Sequence, residues 1–150
     1  MIKLIEDSNK KSEICLDILR DLPEWFGIEA SLLDYVNDVK KCVFITYEDY
    51  ENLGFIALKE HPNSYDMHVL GVLKAHHGKG IGKTLVAYAE DYARNHAKKY
   101  MTVKTLSADH PDLHYKKTRA FYERMGYEHL EVFKTLWDEN NPCLYMTKCL

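Results

Sequence analysis

Apolar side chains recur along the chain at two spacings, and the switches between them lay out the elements. The opening MIKLI is short and apolar enough for a strand. Ile14, Leu16, Ile18, Leu19 and Leu22 then approximate one face of a helix that Ser8 can cap. Pro23 and Gly27 bracket a break, after which a second helix is predicted from Glu29 to Lys40, with Leu32, Leu33, Val36 and Val39 inward. CVFITYEDY and LGFIALKEH are β-branched and aromatic runs around the polar turn Glu48 to Asn52, the signature of an antiparallel hairpin. A further strand, Tyr65 to Leu73, follows His61-Pro62-Asn63. From Gly80 to Ala97 the spacing lengthens again, and Ile81, Leu85, Tyr88, Ala89, Tyr92 and Ala93 predict a long amphipathic helix. MTVKTLS (101–107) reads as a strand, Tyr115 to Met125 as a helix ended by Gly126, and YEHLEVF and PCLYMTKCL as two closing strands.

The resulting order is β-α-α-β-β-β-α-β-α-β-β. A βαβ crossover in the middle of antiparallel runs predicts an α/β fold, a mixed sheet flanked by helices. No repeat, linker or biased segment divides the chain, so residues 1–150 are taken as a single domain.

Composition narrows the class. With 46% hydrophobic and 29% charged residues, and only 7 Gly and 4 Pro, the chain is neither disordered nor fibrous. No apolar run approaches the ~18 residues of a membrane span, and the N-terminus lacks the apolar segment of a signal peptide, so a cytoplasmic location and no membrane partner are expected. A net charge of −3 argues against nucleic acid as a partner. Its distribution is uneven: residues 1–66 carry 7 basic and 14 acidic side chains, residues 67–150 carry 13 and 9. One half suits a cation and the other an anion, although solvated faces that differ by chance would look the same. Cys15, Cys42, Cys143 and Cys149 are scattered without a CxxC pair, and Pro111 separates His110 from His114; neither a disulfide framework nor a metal site is expected.

The most informative stretch is His76-His77-Gly78-Lys79-Gly80-Ile81-Gly82-Lys83-Thr84, which joins a strand to the long helix. Glycines let backbone N–H groups form a concave nest, and a helix N-terminus adds partial positive charge, so the loop suits phosphates. A Walker A loop would need glycine where His77 stands, and a dinucleotide fingerprint needs GxGxxG where this chain has GxGxG.

The segment His77 to Gly82 resembles the acetyl-CoA loop of the GCN5-related N-acetyltransferase family, Arg or Gln, two residues, Gly, one residue, then Gly or Ala, with His in the Arg/Gln slot. The resemblance extends to the preceding Val69-Leu70-Gly71-Val72-Leu73, where Lys74 replaces a usual proline, and to Ala120-Phe121-Tyr122-Glu123-Arg124-Met125-Gly126-Tyr127, similar to the family's Tyr-Glu-Lys-x-Gly signature. The family's element order fits nearly the full chain. The resemblance implies an acetyl-CoA-dependent N-acetyltransferase acting on an amine of a small molecule or a peptide. A non-catalytic acyl-CoA sensor and a small nucleotide-binding protein are the alternatives, and a homodimer is left open.

Within that resemblance, backbone amides from Gly78 through Lys79, Gly80, Ile81 and Gly82 to Lys83 would hold the pyrophosphate. The pantetheine arm would lie along the strand at Leu70, Gly71 and Val72, where the sheet splays open. Tyr115 stands where the family often has Asn, and Arg119 either reaches a phosphate or is a solvated surface side chain. Tyr122 is the candidate general acid: a phenol is protonated at neutral pH and can pass its proton to the departing thiolate. Asp66 and His68, two apart on one strand and sharing a face with Leu70 and Val72, are candidate bases. Glu24, in the Pro23–Gly27 break, is a third, and Asp138 and Glu139, in a Trp137-centred loop before the last strand, would complete an acidic acceptor site. Direct transfer needs no acyl-enzyme, and no metal is expected.

Overall fold

The computed structural model describes residues 1–150. Its elements are β1 (Ile2–Ile5), α1 (Ser8–Arg20), α2 (Glu29–Asp38), β2 (Val43–Asp49), β3 (Glu51–Glu60), β4 (Ser64–Val72), α3 (Ile81–Asn95), β5 (Tyr100–Leu106), α4 (Leu113–Arg124), β6 (Glu128–Asp138) and β7 (Asn141–Cys149). The order matches the expected one. Seven strands form one sheet in the order β1-β2-β3-β4-β5-β7-β6. Every neighbouring pair is antiparallel except β4–β5, which the α3 crossover makes parallel.

Two apolar clusters cover the faces. On one, Ile81, Leu85, Val86, Ala89 and Ala93 of α3 meet Ile56, Leu58, Met67 and Met101. On the other, Ile14, Cys15, Ile18 and Leu19 of α1 meet Phe44, Phe55, Ala57 and Val69. Central β3 alternates between the two clusters from Phe55 to Leu58 and is buried on both faces there, which is why that segment reads as an unbroken apolar run. Each fully buried Leu or Ile here contributes about 1.5–3 kcal/mol of transfer free energy.

Some expected details change. Asp7, not Ser8, caps α1: its carboxylate accepts from the amides of Asn9 and Lys10 at 2.9 and 3.0 Å, while Ser8 is already helical. Asp112 caps α4 in the same way, so that helix starts two residues before Tyr115. Leu33 and Tyr88 are exposed, and the long helix buries Glu90 instead, because the Tyr127 hydroxyl (2.7 Å) and the Lys148 ammonium (3.1 Å) satisfy its carboxylate. β6 continues to Asp138, so Trp137 is a strand residue, not a loop residue.

The largest correction concerns β4. Ala57 pairs with Val69 but Leu58 pairs with Met67, leaving His68 as an extra residue in a β-bulge. Tyr65 and Met67 face α3, which puts Asp66 on the α1–α2 face. Beyond the bulge the count restarts, with Val69 and Gly71 toward α1 and Leu70 and Val72 toward α3. Asp66 and His68 therefore do not share a face with Leu70 and Val72; counting by twos holds only along a regular ladder. At the same point the sheet opens. The β4–β5 pairing runs from Ser64↔Tyr100 to Met67↔Val103 and stops, while β5 continues beside β7 to Leu106.

Candidate functional site

A cleft of about 1160 Å³ occupies this opening. It exceeds the ~300–1,000 Å³ of an ordinary small-ligand pocket and suits a long molecule. β4 lines one side with Met67 to Val72, β5 the other with Val103, Lys104 and Thr105, and α4 contributes Tyr115, Thr118, Phe121 and Tyr122. The glycine loop closes one end.

Gly78 and Gly80 adopt φ of +78° and +81°, the left-handed region that disfavours side chains, and a Cβ built on either meets nothing within 4 Å. The space before the loop is open. Gly80 is also the residue from which α3 starts, so the first-turn amides of Ile81, Gly82 and Lys83 lack intrahelical acceptors and point out of the helix end. A curved backbone, free donors and open space fit a pyrophosphate.

Two loop side chains do other work. His77 donates from Nε2 to the carbonyl oxygen of Val72 at 2.7 Å, and Lys79 donates to Nδ1 of His76 at 3.2 Å. His77 thus braces the loop against the end of β4, and the Lys79 side chain lies outside the cleft lining. Gly71 lines the cleft, but its missing side chain is explained from the other face: a Cβ there would stand 3.0 Å from Ile18 of α1.

The break between α1 and α2 reaches across the cleft. Tyr115 donates its hydroxyl to the carbonyl of Trp25 at 2.7 Å, and the Trp25 indole N–H donates to Thr118 Oγ1 at 3.2 Å. The Trp25 ring meets His114 and His77 edge-on, with centroids 4.8 and 5.6 Å away. One residue thus roofs the gap between the N-terminal helices and α4.

Tyr122 is 5% exposed and lines the cleft from α4. Burial pushes its phenol far above the ordinary tyrosine range, and the nearby Asp66 carboxylate adds to the effect, so it keeps its proton at any working pH. His68 also lines the cleft, with Nε2 2.9 Å from Asp38 Oδ2 and its ring centroid 5.2 Å from that of Tyr35. Burial lowers the His68 pKa, and the Asp38 hydrogen bond works against that shift.

The remaining candidates fall outside the lining. Asp66 is buried, accepts from Thr102 Oγ1 at 2.8 Å and lies 3.7 Å from the Lys104 ammonium. Glu24 is paired with Lys74 at 2.7 Å, and that hydrogen bond holds its carboxyl below the usual range, which makes it a weak base. Arg119 is neither solvated nor aimed at the loop: it is buried and donates to the carbonyl of Leu106 at 2.7 Å, securing the end of β5. Asp138 organises its own hairpin, accepting from the Asn140 amide and the Asn141 side chain. No group of three or more His, Cys, Asp or Glu side chains gathers to hold a metal. Tyr35, Asp38 and Lys104 at or beside the cleft went unforeseen, because no sequence spacing connects them to the glycine loop.

A family model described as an acetyltransferase (GNAT) domain matches residues 40–129 of the chain. The uncharacterized N-acetyltransferase YhfO of Bacillus subtilis is 30% identical over 118 residues, covering 75% of either protein. An acetyltransferase structure from Desulfovibrio desulfuricans, assigned to the GNAT family, superposes with a TM-score of 0.84 at 15% identity over 99% of this chain and 98% of its own. An aminoglycoside 6'-N-acetyltransferase complexed with coenzyme A superposes at 0.77 with 20% identity, over 99% and 96%. The family-model match alone spans more than half of the sequence and includes the glycine loop, α3 and the Tyr122 helix. Together with the relative from Bacillus subtilis it bears out the resemblance carried by the two motifs, and the chain belongs to the GNAT acetyltransferase family.

Proposed function

We propose that the protein transfers the acetyl group of acetyl-CoA directly to a primary amine borne by a small molecule or a peptide. The observation that carries this reading is the cleft itself, with a phosphate-suited nest at one end and a buried, protonated Tyr122 on its wall. Amides from Gly78 to Lys83 bind the pyrophosphate, and the unpaired edge of β4 from His68 onward offers backbone groups to the pantetheine arm. Acetyl-CoA supplies the activated acyl group and a thiolate leaving group. As the amine nitrogen bonds to the acyl carbon, the carbon–sulfur bond breaks and Tyr122 hands its proton to sulfur. Among the residues singled out for the amine proton, His68 faces the cleft with a neutral imidazole, whereas Asp66 and Glu24 are engaged by Thr102 and Lys74.

The test is thiol release from acetyl-CoA against polyamines, amino acids, aminoglycosides and peptides. Release that depends on one amine class supports the reading. Tight acetyl-CoA binding with no release for any amine would make the protein a sensor.

A further inference from the structure

We propose that Asp38 is a positioning residue for His68, holding the imidazole so that Nδ1 stays bare to take a proton from the acceptor amine. The inference rests on the proposed acetyl transfer and on His68 as the group that receives the amine proton.

Asp38 Oδ2 lies 2.9 Å from His68 Nε2. A carboxylate in that position accepts from Nε2–H, which selects the tautomer whose lone pair is on Nδ1. His68 is the bulged residue of β4, so it projects toward α2 at the point where β4 and β5 part. Its side chain retains 18% exposure, leaving room for an amine or one bridging water. Asp38 is the last residue of α2, an end where the helix dipole disfavours an anion. Helix stability therefore gives no reason for a carboxylate there, and His68 is the partner its side chain engages.

Charge around the ring agrees with this role. Tyr35 and Asp38 face it from α2, Lys59 from β3 and Asp66 from β4, and Lys104 of β5 stands 3.7 Å from Asp66. The acceptor arrives as an ammonium, and when His68 takes its first proton the new imidazolium charge is met by Asp38. The deprotonated nitrogen then bonds to the acyl carbon, the carbon–sulfur electron pair leaves with sulfur, and sulfur takes the Tyr122 proton. The second amine proton, released as the amide forms, restores the Tyr122 phenol, and His68 passes its own to water; one proton is released per turnover.

The experiment compares kcat/KM against pH for the unsubstituted protein, Asp38→Asn, Asp38→Glu and His68→Gln, with the imidazole titration of His68 followed by NMR and assigned by its loss in His68→Gln. Asp38→Asn is expected to lower the plateau at least ~10-fold, within the span of a compromised general base. It should also move the acidic limb and the His68 titration to lower pH, because the burial shift is no longer opposed. Asp38→Glu should recover most of both, and Asp38→Asn should melt no lower, since it removes an anion from a helix C-terminus. A lowered plateau with an unmoved limb and titration would mark a merely structural role and overturn the proposal. So would full activity in Asp38→Asn beside an inactive His68→Gln, which leaves His68 as the base. Full activity in His68→Gln removes the base reading itself, and this inference with it.

Discussion

In the proposed reaction Gly80 and Tyr122 would act through quite different properties, one through its backbone and the other through one proton. At Gly80 the obstacle to a side chain is φ of +81° and not crowding, since a Cβ there meets open space. Gly80→Val should therefore weaken acetyl-CoA binding strongly while Gly80→Asn, which tolerates the left-handed region, weakens it little. Calorimetric titration of both decides, and equal losses would point to blocked space instead. Tyr122→Phe keeps the packed ring and should lower kcat by ~10²–10⁴-fold, the range for a lost acid catalyst, with an unchanged melting temperature. A fall under tenfold would reduce Tyr122 to a core aromatic. Both residues could be read from the sequence because each sits in a short, spaced motif. The pairing of His68 with Asp38 could not, since 30 positions separate them and only the fold brings α2 onto the bulge.

Helices and strands followed the apolar spacing closely, and the departures have local causes. Asp serves as well as Ser for capping, so the periodic face alone could not tell Asp7 from Ser8. Asp7→Ala should cost ~1 kcal/mol, the usual worth of such a cap, whereas Ser8→Ala should cost much less; thermal melts of the two compare them directly. The bulge in β4 was invisible because an extra residue leaves no mark on composition, yet it decides which side chains enter the cleft. Gly71 shows the same interplay from the opposite face. Its flat backbone lets α1 lie close, and Gly71→Ala would press on Ile18 at 3.0 Å and Phe55 at 3.2 Å. The expected cost is about 1–3 kcal/mol of stability, as for other overpacked cores, measured by denaturant unfolding. Cofactor affinity per folded molecule should survive.

Across the full chain, the uneven charge noted along the sequence acquires a place: the glycine loop and α3 belong to the basic half, and the N-terminal helices that face the rest of the cleft belong to the acidic half. A polyanionic donor and a cationic acceptor would thus be drawn to different walls. Acetyl-CoA should raise the melting temperature, by linkage worth about 2.7 kcal/mol at a hundredfold excess over Kd, and ATP with magnesium should not. An equal shift with ATP would undo the donor assignment. The Trp25 bridge carries one more consequence, for the order in which the molecule assembles. Its partners Tyr115 and Thr118 lie 90 and 93 positions away, so the roof closes only after α4 has docked. Contacts of such separation carry a large loop-closure cost and form slowly. A chain still emerging from the ribosome can complete β1 to β3 with α1 and α2 in place and yet own no roofed cleft. Competence to grip a ligand is in this sense a certificate of finished folding. With Trp137 replaced by Phe, Trp25 becomes the sole indole, and its fluorescence during refolding should lag the recovery of backbone dichroism.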